Sequence, residues 1–195
     1  MTNRKVENQI AEIIEAHKQA VDRFEASGLK TVAAVGEAII KALKKGATVY
    51  ICGNGGSAAD AQHIASELVN RFESNRRALP AVALTTDSSV ITSIANDSVY
   101  EAVFARQTEA LVRKGDVFWA ISTSGKSPSI MAAARMARRK GALILAFTGR
   151  KNSSLEQLAD ICLCANNKTT ARSQEVHQLA YHIICKLVEQ GFAEK

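Results

Sequence analysis

The sequence predicts one three-layer α/β/α sandwich with a central parallel sheet, preceded by an N-terminal helical hairpin. Three observations carry that expectation. Short apolar runs alternate with longer segments of helical periodicity along most of the chain. Those runs are nearly continuous rather than alternating, which suits strands covered on both faces. The 195 residues, 47% hydrophobic and 23% charged, suffice for one well-filled core and contain no clear linker or internal repeat. Residues 1–195 therefore read as a single domain.

Residues 4–26 place Val6, Ile10, Ile13, Ile14, Ala20, Val21 and Phe24 at helical spacing, and Ser27-Gly28 is expected to end that helix. A second helix over 30–44, closed by Lys45-Gly46, completes a hairpin within residues 1–45 whose apolar stripe suits contact with another subunit. Thr48–Cys52 reads as the first strand and Ala58–Arg71 as the helix after it. Ala81–Leu84 is a strand, followed by helical stretches around Val90–Asn96 and Val99–Val112. Asp116–Ser122 is a strand, and Pro128–Lys140 a helix with proline where a missing N–H costs least. Ala142–Thr148 is a strand, Gly149–Ser154 a loop, Ile161–Ala165 the last strand and Thr169–Gln190 the last helix.

Composition narrows the partners. A net charge of +6 favours anionic ligands, although scattered basic residues also serve solubility. Only 5% of residues are aromatic, too few for stacking along single-stranded nucleic acid, so no nucleic-acid partner is expected. Cys52, Cys162, Cys164 and Cys185 form no CxxC pair and read as reduced thiols of a cytoplasmic protein. The polar N-terminus lacks a signal-peptide core, and no apolar run is long enough to span a membrane.

Two strand-to-helix loops carry the chemistry. Gly53-Asn54-Gly55-Gly56-Ser57-Ala58 has the G-x-G-x-x-A spacing of a dinucleotide loop. Glu73 lies at the right distance for the acidic partner, but residues 58–72 read as helix and polar loop, so no nicotinamide or flavin cofactor is expected. What remains is close backbone approach at glycine and free N–H groups at a helix start. Ile121-Ser122-Thr123-Ser124-Gly125-Lys126-Ser127 nearly matches a phosphate loop, except that Ala120 stands where glycine is required. Four hydroxyls, on Ser122, Thr123, Ser124 and Ser127, before a helix suit a phosphate monoester, or else merely cap the helix.

His63 and Glu67, four apart, share one helix face directly behind the glycine loop. Gln174 and His182, eight apart, lie about 80° apart around the last helix and can also converge. His177 partners Gln174 nearly as well by periodicity, while His17 reads as structural. Two imidazoles, a carboxylate and an amide oxygen suit a zinc ion, or a base and acid moving a proton. Asn96-Asp97 ends a helix or orients sugar hydroxyls. Arg71 complements a helix dipole or contacts an oxyanion.

Cys52-Gly53-Asn54-Gly55-Gly56-Ser57, Asp60-Ala61-Gln62-His63, Glu67-Leu68, Ala95-Asn96-Asp97, Ile121-Ser122-Thr123-Ser124-Gly125, Ala171-Arg172, Gln174-Glu175-Val176-His177 and His182 occur in one order. Together they resemble the phosphoheptose isomerases, a family of sugar isomerase (SIS) domain proteins, over nearly the whole chain. The resemblance implies the SIS fold, a homotetramer with sites between subunits, and one zinc ion per subunit held by His63, Glu67, Gln174 and His182. It selects His182 over His177. It implies that Asn54, Gly55, Gly56 and Ser57, with Asn96 and Asp97, hold the sugar, and that Ser122, Thr123, Ser124 and Ser127 hold the phosphate, with Arg71 and Gln174 also on substrate. Lys126 departs from the asparagine common in the family and adds positive charge beside the phosphate loop.

The reaction so implied is aldose–ketose isomerisation of sedoheptulose 7-phosphate to D-glycero-D-manno-heptose 7-phosphate through an enediol(ate). Glu67 would be the base and His182 the acid. The alternative within the same fold is a non-enzymatic regulator of replication initiation that binds DnaA. That group is less similar at the Glu67 and His182 positions.

Overall fold

A computed structural model describes residues 3–193. Five parallel strands form one sheet in the order β2-β1-β3-β4-β5. They are β1 (Val49–Cys52), β2 (Ala81–Ala83), β3 (Val117–Ser122), β4 (Leu143–Thr148) and β5 (Ile161–Cys164). The helices are α1 (Asn3–Lys44), α2 (Gly56–Val69), α3 (Ser88–Asp97), α4 (Val103–Leu111), α5 (Pro128–Arg139), α6 (Ser154–Leu158) and α7 (Thr170–Gly191). A 3-10 turn over Tyr100–Ala102 leads into α4.

Side chains of successive strand residues point to opposite faces, and the two cores follow that alternation. Val117, Trp119 and Ile121 of β3 join α1, α2 and α7 on one face. Phe118 and Ala120 join α3, α4, α5 and α6 on the other. The three-layer sandwich expected from the apolar runs is therefore present. No helix among the described residues is long and apolar enough to cross a membrane.

The N-terminal hairpin is not. α1 is one uninterrupted helix of 42 residues that passes straight through Ser27-Gly28. Packing explains why. A Cβ on Gly28 would lie 2.5 Å from the Phe24 ring, so the ring covers the space a larger residue would fill. The Ser27 hydroxyl donates to the Arg23 carbonyl at 2.8 Å and so stays within the helix. Glycine costs a helix interior about 1 kcal/mol, whereas burying a phenylalanine ring gains about 1.5–3 kcal/mol. The second half of α1 packs on α7 and β5, while Val6, Ile10, Ile13 and Ile14 in its first half remain exposed.

Two smaller boundaries also differ. α2 ends at Val69, which leaves Arg71 in the following loop rather than in the last helical turn. The segment expected as a loop after β4 ends where α6 begins, at Ser154, and α6 fills residues left unassigned before β5; it is opened by a capping box in which Ser153 and Glu156 each bond the other's backbone.

The strand order reverses beside β1. The chain leaves β1 toward β2 on one side, and β3, β4 and β5 follow on the other. In open parallel sheets the crevice at such a point, beyond the carboxyl ends of the strands, is where ligands bind. The glycine loop after β1 and the serine loop after β3 flank it.

Candidate active site

The two loops are tied to each other. Asn54 Nδ2 donates to Ser127 Oγ at 2.9 Å and to Ser129 Oγ at 3.0 Å, bridging the loops that follow β1 and β3. Tyr100 donates its hydroxyl to Asn54 Oδ1 at 2.8 Å, so the asparagine amide is fixed from both ends. Ser57 is buried, and its N–H donates to the Asn54 carbonyl at 3.0 Å. Gly55 holds φ at 55° and Gly125 at 62°, conformations that disfavour side chains. Beside Gly125, Ser124 Oγ accepts from the Lys126 N–H at 3.2 Å and lies 3.4 Å from Ser122 Oγ. Ser127 caps α5 by position but makes no side-chain capping bond. Its hydroxyl therefore faces the crevice with Asn54, and the start of α5 offers its partial positive charge to an anion.

A second cluster stands on the facing surfaces of α2 and α7. His63 Nε2 lies 2.9 Å from Glu67 Oε1. The His63 and His182 rings meet edge to face with centroids 5.0 Å apart, and the Phe72 ring lies 5.7 Å from that of His182. Tyr181, almost wholly buried, brings its hydroxyl to 3.0 Å from His63 Nδ1. Burial raises the Asp60 carboxyl to about 6, against the opposing pull of the Tyr181 hydroxyl and the His63 ring. Burial and the neighbouring His63 lower the affinity of His182 for a proton, and Glu67 only partly restores it.

The periodicity alone left His177 and His182 open. The structure separates them. His177 is fully buried and its Nε2–H donates to the Thr148 carbonyl at 3.0 Å, on the sheet side of α7. His182 alone of the two faces His63. Gln174 goes elsewhere: its amide rests where a Cβ on Gly56 would stand, 2.3 Å from that position. Gln174 thus belongs with the glycine loop, eight residues or about 12 Å along α7 from His182. Likewise Glu67 lies eleven residues beyond Gly56, about 16 Å down α2.

Asn96 Nδ2 donates to Asp97 Oδ1 at 2.8 Å at the end of α3, and Asp97 lines a shallow hollow with Ser93, Ser98 and Arg106. Arg71 donates to Asn75 Oδ1 at 3.4 Å on the surface. Thr123 and Ser124 border a small recess shared with Arg150, Lys168 and Ser173. Sequence reasoning missed Tyr100, Ser129, Asp60, Tyr181 and Phe72. Asp60 carried a signal, since it precedes His63 by three residues and so shares its helix face. Tyr100 carried none, because its role arises from the approach of two loops.

As donors, two imidazoles and a carboxylate fit zinc in kind. His63, Glu67 and His182 meet in one place, and Gln174 stands apart within the protomer. Among the described residues no three His, Cys, Asp or Glu side chains are already arranged round one point. The imidazoles of His63 and His182 pack edge to face.

Comparison with known proteins places this architecture. The model of the SIS domain family matches residues 12–149. The chain is 49% identical to a phosphoheptose isomerase of Roseiflexus sp. (strain RS-1) over 164 residues, 84% of this chain and 83% of the relative. It is 44% identical to that of Synechocystis sp. over 188 residues, 95% of this chain and 97% of the relative. The solved structure of a phosphoheptose isomerase from Francisella tularensis superposes with a TM-score of 0.92 at 33% identity, covering 97% of this chain and 100% of the other. With likeness in sequence and in three dimensions extending over nearly its whole length, the chain belongs to the phosphoheptose isomerases, SIS-domain enzymes of the aldose–ketose isomerase class.

Proposed function

We propose that this isomerase converts sedoheptulose 7-phosphate to D-glycero-D-manno-heptose 7-phosphate, the opening step toward the activated heptoses of bacterial lipopolysaccharide. The observation that carries the reading is the imidazole–carboxylate–imidazole cluster of His63, Glu67 and His182 on α2 and α7. A carboxylate beside a neutral imidazole is what a proton shuttle between adjacent carbons requires.

Glu67 takes a proton from C1 of the open-chain ketose while His182 gives one to the C2 oxygen, leaving an enediol. Glu67 then returns its proton to C2, and His182 recovers one from the C1 oxygen, leaving the aldose. The lowered proton affinity of His182 keeps it a neutral N–H donor whose loss of a proton is reversed within the cycle. Ser122, Thr123, Ser124 and Ser127 hold the phosphate at the start of α5, and Asn54, Gly55, Gly56 and Ser57, with Asn96, Asp97 and Arg71, orient the sugar. His63, Glu67 and His182 are the residues that would hold zinc, with Gln174 completing the set across a subunit contact. When bound, zinc polarises the sugar oxygens and stabilises negative charge on the enediolate.

The separation of Glu67 from the glycine loop supports sites shared between subunits of a homotetramer. A base about 16 Å down α2 does not reach a sugar held at the loop of its own protomer, whereas a neighbouring copy can present it. The test of the chemistry is Glu67→Gln. Turnover of sedoheptulose 7-phosphate should fall by at least about a thousandfold while calorimetric binding of the phosphosugar persists. Near-normal turnover would remove Glu67 as the base.

A further inference from the structure

Resting on the phosphate reading of the serine loop, we infer that Arg150 and Lys168 supply the positive charge that selects a phosphorylated sugar over the free sugar. Both border the recess that Thr123 and Ser124 of that loop also line.

Backbone hydrogen bonds place the two cations. The loops after β3, β4 and β5 are laced edge to edge beyond the carboxyl ends of the strands. The Gly149 N–H donates to the Thr123 carbonyl at 3.0 Å, and the Asn167 N–H donates to the Gly149 carbonyl at 3.1 Å. A Cβ on Gly149 would stand 2.6 Å from both the Thr123 carbonyl oxygen and Ser173 Oγ, so these segments approach as closely as glycine allows. Asn167 is buried, and its side chain accepts from Arg23 at 2.8 Å and donates to the Arg172 carbonyl at 3.4 Å. Arg150 and Lys168 each follow directly after one of these fixed residues. The sheet, rather than any contact of the two long side chains, therefore sets them beside the serine loop.

Charge then decides what the recess takes. The hydroxyls of Ser122, Thr123, Ser124 and Ser127 can orient a phosphate but cannot neutralise it, and a phosphate monoester carries about −1.5 to −2 at pH 7. Lys126, the loop's own cation, does not line the recess, whereas Arg150 and Lys168 do. No acidic side chain lines it, and among the described residues neither cation takes part in an ion pair. Both charges are thus uncompensated. The recess measures about 50 Å³, several times the roughly 10–15 Å³ that one water needs. Beyond it a wider groove of about 980 Å³ carries Arg23 and Lys151 but neither Thr123 nor Ser124. A guanidinium and an ammonium beside two hydroxyls form a donor set for charge-assisted hydrogen bonds to a phosphate dianion. The free sugar offers the two charges nothing in return.

The test is steady-state kinetics of the full-length protein on sedoheptulose 7-phosphate, with inorganic phosphate as the competing probe. Arg150→Gln and Lys168→Gln should each raise KM about 5–10-fold and keep kcat within about twofold, since the lost contact holds ground state and transition state alike. The inhibition constant of inorganic phosphate should rise by a similar factor. Arg150→Lys, which keeps the charge, should recover most of the loss. Lys151→Gln removes the same charge from the wider groove and should leave KM and phosphate inhibition unchanged. An unchanged KM in the doubly substituted Arg150→Gln, Lys168→Gln protein overturns the proposal. So does a Lys151→Gln protein whose KM rises as much as that of either variant, because net charge alone would then account for the effect. Ser124→Ala tests the underlying loop. If it keeps the wild-type kcat/KM, the phosphate reading itself fails. If it lowers kcat/KM while both glutamine variants match the wild type, only the role of the two cations fails.

Discussion

His177 shows how one buried side chain writes a pH dependence into the fold. It is fully buried beside Phe147, its Nε2–H is committed to the Thr148 carbonyl, and its Nδ1 has no partner among the described residues. Burial pushes its pKa down to about 4, against the smaller opposing effect of the bond to Thr148. In the unfolded chain the same ring protonates near its ordinary value of about 6.5. Between those two values the unfolded state binds the extra proton, so stability falls as pH falls from about 6.5 to about 4 and is unaffected above that window. The loss is on the order of 3 kcal/mol for the full window. Urea unfolding midpoints measured from pH 7.5 to 4.5 should slide downward below about 6.5, and less so in His177→Gln. The sequence offered His177 and His182 as near equals because both lie on α7 within reach of Gln174. What separates them is the burial of one face of α7 against β4, and that depends on the rest of the sheet.

At the scale of elements, Glu189 near the end of α7 organises the loop after α2. Its carboxylate accepts from the backbone N–H groups of Phe72 at 2.9 Å, Glu73 at 3.1 Å and Ser74 at 2.9 Å. Burial pushes its carboxyl up, but the N–H groups of Glu73, Phe72 and Ser74 outweigh that, with help from Arg76, and hold it below the ordinary carboxylate range. The same loop is tied back to α2 by Arg76, which donates to the Glu67 carbonyl at 2.6 Å, and to α7 by the Lys186–Glu73 ion pair. The clamp sets Phe72 against His182. In Glu189→Gln one acceptor becomes a donor facing backbone donors. Stability should drop by about 1–3 kcal/mol, and amide hydrogen exchange at Phe72–Ser74 should speed up more than in the strands. Exchange unchanged in that loop would show that Glu189 does not hold it. Strands and most helices were legible beforehand because apolar runs and helical spacing are local signals. The break expected at Ser27-Gly28 was wrong because Phe24 packs over the glycine, a contact that propensity does not register. α6 was readable in principle from Ser153-Ser154-Leu155-Glu156, a capping box of three-residue spacing, but so short a helix is hidden by its polar neighbours.

For the whole molecule, the residues that the sequence grouped as one site fall into two centres within a protomer. Asn54, Ser127 and Gln174 gather at the sheet's switch point, where Tyr100 joins them. His63, Glu67 and His182 gather along α2 and α7, beside Tyr181. Motif order alone cannot show this division, since it records the order of residues along the chain and not their separation in space. Meanwhile Ile10, Ile13 and Ile14 of α1 are about half exposed, at 51%, 57% and 50%. A row of exposed isoleucines on a protruding helix is costly in water and is relieved by association. These two facts fit one arrangement, in which neighbouring copies set the helix-face centre of one against the loop centre of another. The arrangement has a kinetic signature. Glu67→Gln and Ser124→Ala each disable one centre, and each homo-oligomer should be nearly inactive. When the two are unfolded and refolded together, some sites receive an intact Glu67 from one chain and an intact Ser124 from the other. Activity should then rise well above that of either parent, toward about a quarter of wild type if the two chains mix at random and each site draws its two centres from different copies. Ile10→Asp with Ile13→Asp should block both association, seen by sedimentation, and this recovery. A mixed sample no more active than its parents, while sedimentation shows that the chains did co-assemble, would place both centres of each site in a single protomer.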